Sequence, residues 1–330
     1  MRDWLVAADD RTGAFEVAAL FAAVVGPVMV ATDATVEGSL VVDLGSRGVD
    51  ADSAAARAGG IDATPARWTA HKIDSTLRGN WAVELEARRL ATGRRVVVLA
   101  GWPEMGRACL GGVVHVHGAP IGSVHDHLAH GTLVPHAAAL REWLHGRDEV
   151  ALCDVPDHAA MYALAAVLAD APDVLVAGPA GPLGAAFAAR GAGAHRPRAV
   201  ATVRSPMLVV CGSANAVSRE QVARLAAVAP HLEILAAPET EGSLHPHVAR
   251  ELAAHARTRA AELQPATIVV IGGDTAAAFL GDAPRLVGGS VAPGMPWSLD
   301  EYGGGPLVIT KAGGFGDADT LVRLLSRVGG

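Results

Sequence analysis

Three charged side chains, Lys72, Asp74 and Arg78, lie in one short stretch of the chain. Residues 68–73 are apolar enough for a strand, and residues 81–90 carry bulky apolar side chains at helical spacing. The charges therefore lie on a predicted strand-to-helix turn, where a cation near the helix N-terminus is mildly unfavourable. An anion bound between Lys72, Arg78 and free backbone N–H groups would explain both cations. Alternatively, both cations are solvated and Asp74 pairs with one of them.

Two other predicted strands of the first half also end in charged turns. The first strand ends at Asp9 and Asp10, and a later one ends at Ser46 and Arg47. Ligands of parallel sheets gather at the carboxyl ends of strands, which favours a shared site for these turns. Adjacent aspartates repel each other unless a cation or a substrate hydroxyl separates them. Alternatively, one aspartate caps the following helix and the other is exposed.

The second half has glycine-containing turns after three predicted strands, which end at Cys211, Ile271 and Lys311. Glycine lets backbone N–H groups approach a phosphate closely, although any turn also favours glycine. Three such turns, one opened by a lysine, favour a nucleotide site. The chain has no GxxxxGK[ST], which excludes a Walker-type P-loop. It also lacks a GxGxxG followed by an acidic residue, which weighs against NAD.

Composition narrows the class of protein. The chain has 330 residues, a length that suggests two domains, and is 51% hydrophobic. Its formal charge of −7 argues against non-specific nucleic-acid binding. The three cysteines form no CxxC or zinc spacing, which indicates buried, reduced thiols. We find neither a signal peptide nor an apolar run of about 18 residues, so we expect a cytoplasmic protein without membrane contacts.

Strands and helices alternate along both halves, which predicts an α/β protein. We expect two α/β domains, each with a largely parallel sheet flanked by helices, and an active site in the cleft between them. A Gly-, Pro- and Arg-rich stretch at 191–204 places the boundary, giving domains 1–199 and 200–330. The first domain also contains a His-rich stretch, residues 119–136. If it forms a strand, His125 and His127 share one face and could bind a metal. Alternatively, the stretch is a solvated loop or a loop that covers the site.

The motifs, in this order, resemble those of the four-carbon acid sugar kinases over essentially the whole chain. Those of the first half are residues 8–14, 45–47, 72–79 and 103–107, and those of the second half are 212–213, 272–275, 293–294 and 311–316. The resemblance implies an N-terminal domain that binds a sugar acid and a C-terminal domain that binds ATP. It implies an ATP-dependent kinase acting on the terminal hydroxyl of threonate, erythronate or an oxo-tetronate.

Two departures from the family pattern leave other functions open. Arg11 stands where the family commonly has leucine, and Ala312 where it usually has serine. One alternative is a kinase of another sugar acid or polyol. The other is a non-catalytic paralogue that binds a sugar acid or a nucleotide without turnover.

Residue roles follow from the resemblance together with the charged turns. Phosphoryl transfer needs charge neutralisation and a carboxylate to accept the hydroxyl proton, for which Asp10 is the first candidate and Asp74 the second. The predicted substrate-binding residues are Asp9, Ser46, Arg47, Lys72, Ser75 and Arg78. The predicted ATP-binding residues are Gly212, Ser213, Gly272, Gly273, Asp274, Thr275, Gly294, Lys311, Gly313, Gly314 and Gly316.

The cofactors implied are ATP and Mg²⁺, and the partner is a small sugar acid. Asp274 would either bind Mg²⁺ or cap its helix. Other metal ligands and a homodimer are left open.

Overall fold

The computed structural model describes residues 1–128, 130–191, 202–238 and 245–326. The chain divides into two compact units, residues 1–196 and 197–330. The boundary expected between residues 199 and 200 falls in the segment 192–201, outside the described residues.

The first unit is built on a parallel sheet with the strand order β2-β3-β1-β4-β11-β5-β10-β9. A small antiparallel sheet of β6, β7 and β8 accompanies it. The strands are β1 (Arg2–Ala8), β2 (Val28–Ala31), β3 (Leu40–Asp43), β4 (Ala66–Lys72), β5 (Arg95–Leu99), β6 (Arg107–Leu110), β7 (Val113–Val116), β8 (Ala119–Ser123), β9 (Thr132–Val134), β10 (Val150–Cys153) and β11 (Val174–Gly178). The helices are α1 (Arg11–Val25), α2 (Ala51–Gly60), α3 (Trp81–Thr92), α4 (Ala137–His145), α5 (His158–Ala169) and α6 (Ala180–Ala189).

The central strands of the first unit are apolar on both faces because helices cover both sides of the sheet. Every residue of β11 is buried, and so is β1 apart from Asp3. Aromatic side chains fill part of this core: Phe21 and Phe187 stack with ring centroids 3.9 Å apart, and Trp4 packs edge-on against both.

The second unit has the strand order β13-β12-β14-β17-β16-β15. The first four strands are parallel, and the hairpin of β15 and β16 runs antiparallel beside β17. Its strands are β12 (Met207–Cys211), β13 (Glu233–Ala236), β14 (Thr267–Ile271), β15 (Arg285–Ala292), β16 (Met295–Asp300) and β17 (Leu307–Lys311). Its helices are α7 (Ala216–Val228), α8 (Pro246–Leu263), α9 (Gly273–Leu280) and α10 (Thr320–Leu325). The predicted class, α/β with largely parallel sheets flanked by helices, is confirmed.

The His-rich stretch contradicts the strand geometry on which a metal site there depends. Val124–Asp126 forms a 3₁₀ turn, in which Ser123 accepts a hydrogen bond from the N–H of His125. Alternation of side chains across a strand therefore does not apply to His125 and His127. Within the described ranges, no group of three or more His, Cys, Asp or Glu side chains is placed to hold a metal ion.

All three cysteines are free and buried, as predicted. Burial raises the pKa of each thiol, that of Cys109 to about 12. None of the described helices is both long and apolar enough to cross a membrane.

Candidate active site

The predicted charged turns of the first unit meet because β3, β1 and β4 are neighbours in the sheet. Pairing in register sets Ala8 beside Asp43 on one side and beside Lys72 on the other. The residues that follow each strand consequently emerge at one edge. The N–H groups of Ser46 and Arg47 both donate to the carbonyl of Asp9, at 2.9 and 3.2 Å, which fixes two of the turns together.

Arg47 is the centre of this site and contacts three carboxylates. Its Nε and Nη2 donate to the two oxygens of Asp9 at 2.7 and 2.9 Å, and its Nη1 donates to Asp10 at 2.5 Å. Nη2 also lies 3.5 Å from Asp74 Oδ1. We call Asp9, Asp10 and Asp74 the carboxylate cluster. Arg47 is thus the cation that separates the adjacent aspartates Asp9 and Asp10. Asp10 also caps α1 by accepting a hydrogen bond from the N–H of Gly13.

Asp74 accepts hydrogen bonds from two residues of its own turn. Arg78 donates to it through Nε and Nη2 at 3.1 and 3.0 Å, and the N–H of Thr76 donates at 3.0 Å. Burial alone would raise the pKa of Asp74, but the hydrogen bond from Arg78 and the charge of Lys72 hold it well below its usual range. Asp74 therefore pairs with one of the two cations, as in the alternative interpretation, and that cation is Arg78, whose side chain is 68% exposed.

Lys72 lies under α1, close to a carboxylate that the sequence did not single out. Its Nζ is 3.9 Å from Oε2 of Glu16, and both side chains are nearly buried. The close approach requires a glycine at position 13, because a Cβ there would lie 2.8 Å from Lys72 Nζ and 2.7 Å from Asp10 Oδ1. Burial raises the pKa of Glu16 to about 7, although Lys72 acts against this.

The backbone between Asp74 and α3 is held in unusual conformations. Leu77 has a φ of 63°, a left-handed conformation that costs a bulky side chain about 1 kcal/mol or more. Gly79 has a φ of 91°, and a Cβ there would approach Asp9 Oδ2 to 2.9 Å. Such strain is commonly retained at functional sites.

Asn80 occupies the N-cap of α3 without capping it. Its Nδ2 instead donates to the carbonyls of Ser46 and Val49, at 2.9 and 2.8 Å, and so joins the turn after β4 to the turn after β3. Ser75 is partly exposed in the same turn.

Ser46 is fully buried and adjoins a second buried pair, His71 and Glu84, whose Nε2 and Oε2 atoms are 3.0 Å apart. Burial alone would raise the pKa of Glu84, but the hydrogen bond with His71 lowers it. The side chain of Ser46 therefore faces the protein interior here.

Arg107 on β6 is close enough to this site to interact with its charges, although the sequence predicts no role for it. Burial lowers its pKa, while the charges of Glu16 and Asp74 act in the opposite direction. It lies in the family motif at residues 103–107, and this was the sequence feature that could have indicated a role in the site.

The glycine turns of the second unit also converge, because β12, β14 and β17 are adjacent and parallel. We call residues 212–215, 272–275 and 311–316 the glycine loops. A Cβ at Gly212 would lie 1.8 Å from Oγ1 of Thr275, and a Cβ at Gly313 would lie 2.5 Å from Oγ of Ser213. The three loops thus pack so closely that residues larger than glycine would not fit at positions 212 and 313.

Lys311 lies at the centre of the glycine loops and is 1% exposed. Its Nζ donates to the carbonyls of Ala312 and Gly313 at 3.2 and 3.3 Å and to Oγ of Ser218 at 3.4 Å. In the part of the chain that the structure describes, no carboxylate forms an ion pair with it. Burial lowers its pKa to about 8.

The N–H groups of the glycine loops are not equally accessible. Those of Gly212 and Gly272 donate to carbonyls of the neighbouring strands at 2.9 Å each and extend the sheet. Those of Gly313, Gly314 and Gly316 have no protein acceptor among the described residues. The first turn of α9 contains the N–H groups of Gly273, Asp274 and Thr275.

Two predicted ATP-binding residues lie at the margins of the glycine loops. Asp274 is exposed in the first turn of α9, whose N-cap is Gly272, so the interpretation of Asp274 as a cap is wrong. Gly294 turns the β15–β16 hairpin and lies against Phe315, where a Cβ would come within 2.8 Å of the ring. A groove of about 280 Å³ borders this turn, lined by Val291, Pro293, Gly316 and Leu324 among others.

Helix α7 fixes the last glycine loop. The spacing of Ser218 and Gln221 is that of a capping box, but Asn215 caps the helix by accepting from the N–H of Val217. Ser218 instead donates to the carbonyl of Gly313 at 2.5 Å, and Gln221 donates to those of Phe315 and Asp317 at 3.1 and 2.7 Å.

The fold and the two sites define an α/β protein of two units, one with an arginine-centred carboxylate site and one with a lysine-centred glycine site. Residues 4–146 match the family described as the sugar-binding N-terminal domain. The chain is 35% identical over 130 residues to a D-threonate kinase of Cupriavidus necator, a match that spans 36% of this chain and 31% of the kinase. The chain therefore matches about a third of the length of that curated relative.

Solved structures resemble the chain over nearly its whole length. A Salmonella typhimurium LT2 protein described as a tRNA synthase has a TM-score of 0.78 at 19% identity, covering 99% of both chains. A Bordetella bronchiseptica domain of unknown function, a domain-swapped dimer with bound citrate, has a TM-score of 0.52 at 25% identity, covering 99% of this chain and 98% of the other. The resemblance to the four-carbon acid sugar kinase family is thereby confirmed, and residues 4–146 match the model of a sugar-binding N-terminal domain.

Proposed function

We propose that this protein is an ATP-dependent kinase that phosphorylates the terminal hydroxyl of a four-carbon sugar acid such as threonate, erythronate or an oxo-tetronate. The observation that carries the proposal is Lys311, a buried ammonium group surrounded by carbonyl and hydroxyl oxygens. Burying a charge without a counter-charge is costly, and a triphosphate would offset that cost. The likeness to a D-threonate kinase over part of the chain supports the same reaction.

The glycine loops suit a nucleotide phosphate in both charge and space. Lys311 would neutralise the β- and γ-phosphates, and the N–H groups of Gly313, Gly314 and Gly316 would donate to their oxygens. The start of α9 offers further N–H groups at the positive end of a helix. The groove beside Gly294, whose lining includes Val291, Pro293 and Leu324 as well as the polar Asp317, Thr320 and Arg323, would take the base.

Mg²⁺ would neutralise phosphate charge and is usually bound through one or two carboxylates, the phosphates and water. Asp274, exposed in the first turn of α9, is the candidate protein ligand. Because the nucleotide supplies most of the oxygens, a dense group of protein ligands is not required.

The carboxylate cluster and its cations suit a hydroxylated acid. Arg78 is exposed enough to bind a substrate carboxylate, and Lys72 and Arg107 add positive charge nearby. Asp9 and Asp10 would accept hydrogen bonds from substrate hydroxyls while Arg47 holds them in place. Bound citrate in the Bordetella bronchiseptica relative is consistent with a carboxylate ligand for this family.

Thermal-shift measurements with ATP and Mg²⁺ and with a panel of tetronates, followed by an ADP-release assay, test the proposal. We expect a rise in Tm with ATP and with at least one tetronate, and ADP formation only when both are present. Binding of both ligands without ADP formation would favour the non-catalytic paralogue. ADP formation with a larger sugar acid or a polyol, and with no tetronate, would favour the other kinase.

A further inference from the structure

Glu16 differs from the other carboxylates of the first unit in what binds it. Asp9 is held by two nitrogens of Arg47, and Asp10 accepts from Arg47 and from the N–H of Gly13. Asp74 accepts from Arg78 and from Thr76. Across the described ranges, the carboxylate of Glu16 accepts no hydrogen bond, and its cation Lys72 is 3.9 Å away.

The placement of Glu16 also joins it to the cluster. Asp10, Gly13 and Glu16 follow one another at intervals of three residues and lie toward the same side of α1. At Gly13, the side chains of Lys72 and Asp10 both lie close to the backbone of α1. The side chain of Glu16 is 10% exposed, so solvent reaches it little and its negative charge is poorly hydrated.

The charges that face Glu16 come from several elements. Lys72 on β4 and Arg47 after β3 favour its ionised form, whereas Asp10 and Asp74 oppose it. Arg107 on β6 also interacts with it. The resulting pKa of about 7 suits proton transfer near neutral pH, because a base whose pKa matches the operating pH is both available and strong enough.

Resting on the proposed function, we propose that Glu16 is the catalytic base of the phosphoryl transfer. As the substrate oxygen forms its bond to the γ-phosphorus, the hydroxyl proton passes to Glu16. The bond between the γ-phosphorus and the β,γ-bridging oxygen breaks, and ADP leaves with that electron pair. Glu16 then releases its proton to solvent. This assigns the transfer to a residue other than Asp10 and Asp74, both of which accept hydrogen bonds from arginine, whereas among the described residues nothing donates to Glu16.

The test compares Glu16→Gln, Glu16→Asp and wild type by ADP release as a function of pH. In wild type, we expect kcat to fall as the pH drops below about 7, where Glu16 becomes protonated. In Glu16→Gln, we expect kcat to fall by roughly 10²–10⁴-fold with this acid limb absent, and KM for the sugar acid and for ATP to change little. Glu16→Asp should recover part of the activity together with the acid limb.

Asp43→Asn is the matched control. Asp43 is also a buried carboxyl group with a raised pKa, about 6, but it pairs with Arg11 at 3.8 Å and, among the described residues, forms no ion pair with Arg47 or Lys72. Its variant should keep the acid limb of wild type. Titration of ¹³C-labelled glutamate carboxyl groups by NMR, independent of turnover, should lose a signal near pH 7 in Glu16→Gln.

The outcomes separate the two proposals. Wild type that turns over a sugar acid, with Glu16→Gln retaining kcat and the acid limb, overturns the assignment of Glu16 and leaves the kinase proposal intact. A raised KM with unchanged kcat would give Glu16 only a role in holding Lys72 and would likewise overturn it. Wild type that binds ATP and tetronates but never forms ADP overturns both.

Discussion

Arg47 and Arg78 contact the same aspartate but differ in what they can offer a ligand. Arg47 is surrounded by the carboxylate cluster and is partly buried, so its five N–H donors are largely used within the protein. Arg78 is 68% exposed and contacts Asp74 alone among the cluster. A substrate carboxylate would therefore exchange with Asp74 at Arg78, while Arg47 orients the aspartates for the hydroxyl groups.

Replacing Arg78 by Met should raise KM for the sugar acid by about tenfold, since an exposed charge-assisted hydrogen bond contributes on the order of 1 kcal/mol. ATP binding should be unchanged, because Arg78 lies in the first unit and the glycine loops lie in the second. Steady-state kinetics with each substrate varied in turn measure both quantities.

Arg67→Met is the control for that change, since Arg67 is a similarly exposed arginine that pairs with the exposed Asp3, away from the carboxylate cluster. It should leave KM unchanged. Loss of ATP binding in Arg78→Met, with KM for the acid unaffected, would reverse the roles proposed for the two units.

At the scale of secondary structure, α1 packs closely against Lys72 and Asp10. Gly13→Ala should lower the free energy of unfolding by about 1–3 kcal/mol, because the new methyl group would overlap Lys72 Nζ and Asp10 Oδ1. It should also lower kcat by displacing both side chains. Urea unfolding and ADP release measure the two effects.

Gly60→Ala tests whether the loss comes from crowding and not from the glycine substitution itself. Gly60 ends α2, has an ordinary helical φ of −68°, and a Cβ there would meet nothing within 4 Å. Alanine at this position should be neutral or stabilise the protein by up to about 1 kcal/mol. Equal losses at both glycines would rule out the close fit as the cause.

The sequence predicted the elements that carry the site because each is a buried apolar strand followed by a polar turn. Strands β12, β14 and β17 end at Cys211, Ile271 and Lys311, as predicted. Helix α4 and strands β2 and β16 are not predictable in the same way, since short or half-exposed segments have weak periodicity. The residues of the turns were recognisable because their charges would otherwise be unfavourable there.

Contacts between elements distant in the chain could not be predicted. Glu16 lies in an Ala-rich helix, and its approach to Lys72 depends on the register in which β1 pairs with β4. The partners of Ser218 and Gln221 likewise depend on where β17 ends. Local sequence allowed both of these residues to cap their own helix, and tertiary contacts decided otherwise.

At the scale of the whole molecule, the raised pKa of Glu16 makes stability depend on pH. Between its ordinary value of 4.5 and about 7, the unfolded chain releases this proton while the folded chain keeps it. The folded state binds more protons there, so the contribution of Glu16 to stability falls as the pH rises. Glu16→Gln removes that loss and should be more stable than wild type at pH 8, by about 3 kcal/mol, with little difference at about pH 4.

Urea unfolding followed by tryptophan fluorescence at both pH values measures this difference. Five of the six tryptophans lie in the first unit, so the signal reports mainly its unfolding. Asp74, whose pKa is lowered, makes the opposite contribution in both proteins and cancels in the comparison. A variant less stable than wild type at pH 8 would mean that Lys72 depends on Glu16 as its counter-charge.

The three native thiols are buried and their pKa values are raised, so little thiolate is available to react with maleimides. A single cysteine introduced on the surface would then be modified selectively, with the natural cysteines left in place. Tyr302, which is 88% exposed, offers such a position for Tyr302→Cys. A fluorophore or spin label attached there would follow the protein during turnover without a cysteine-free background.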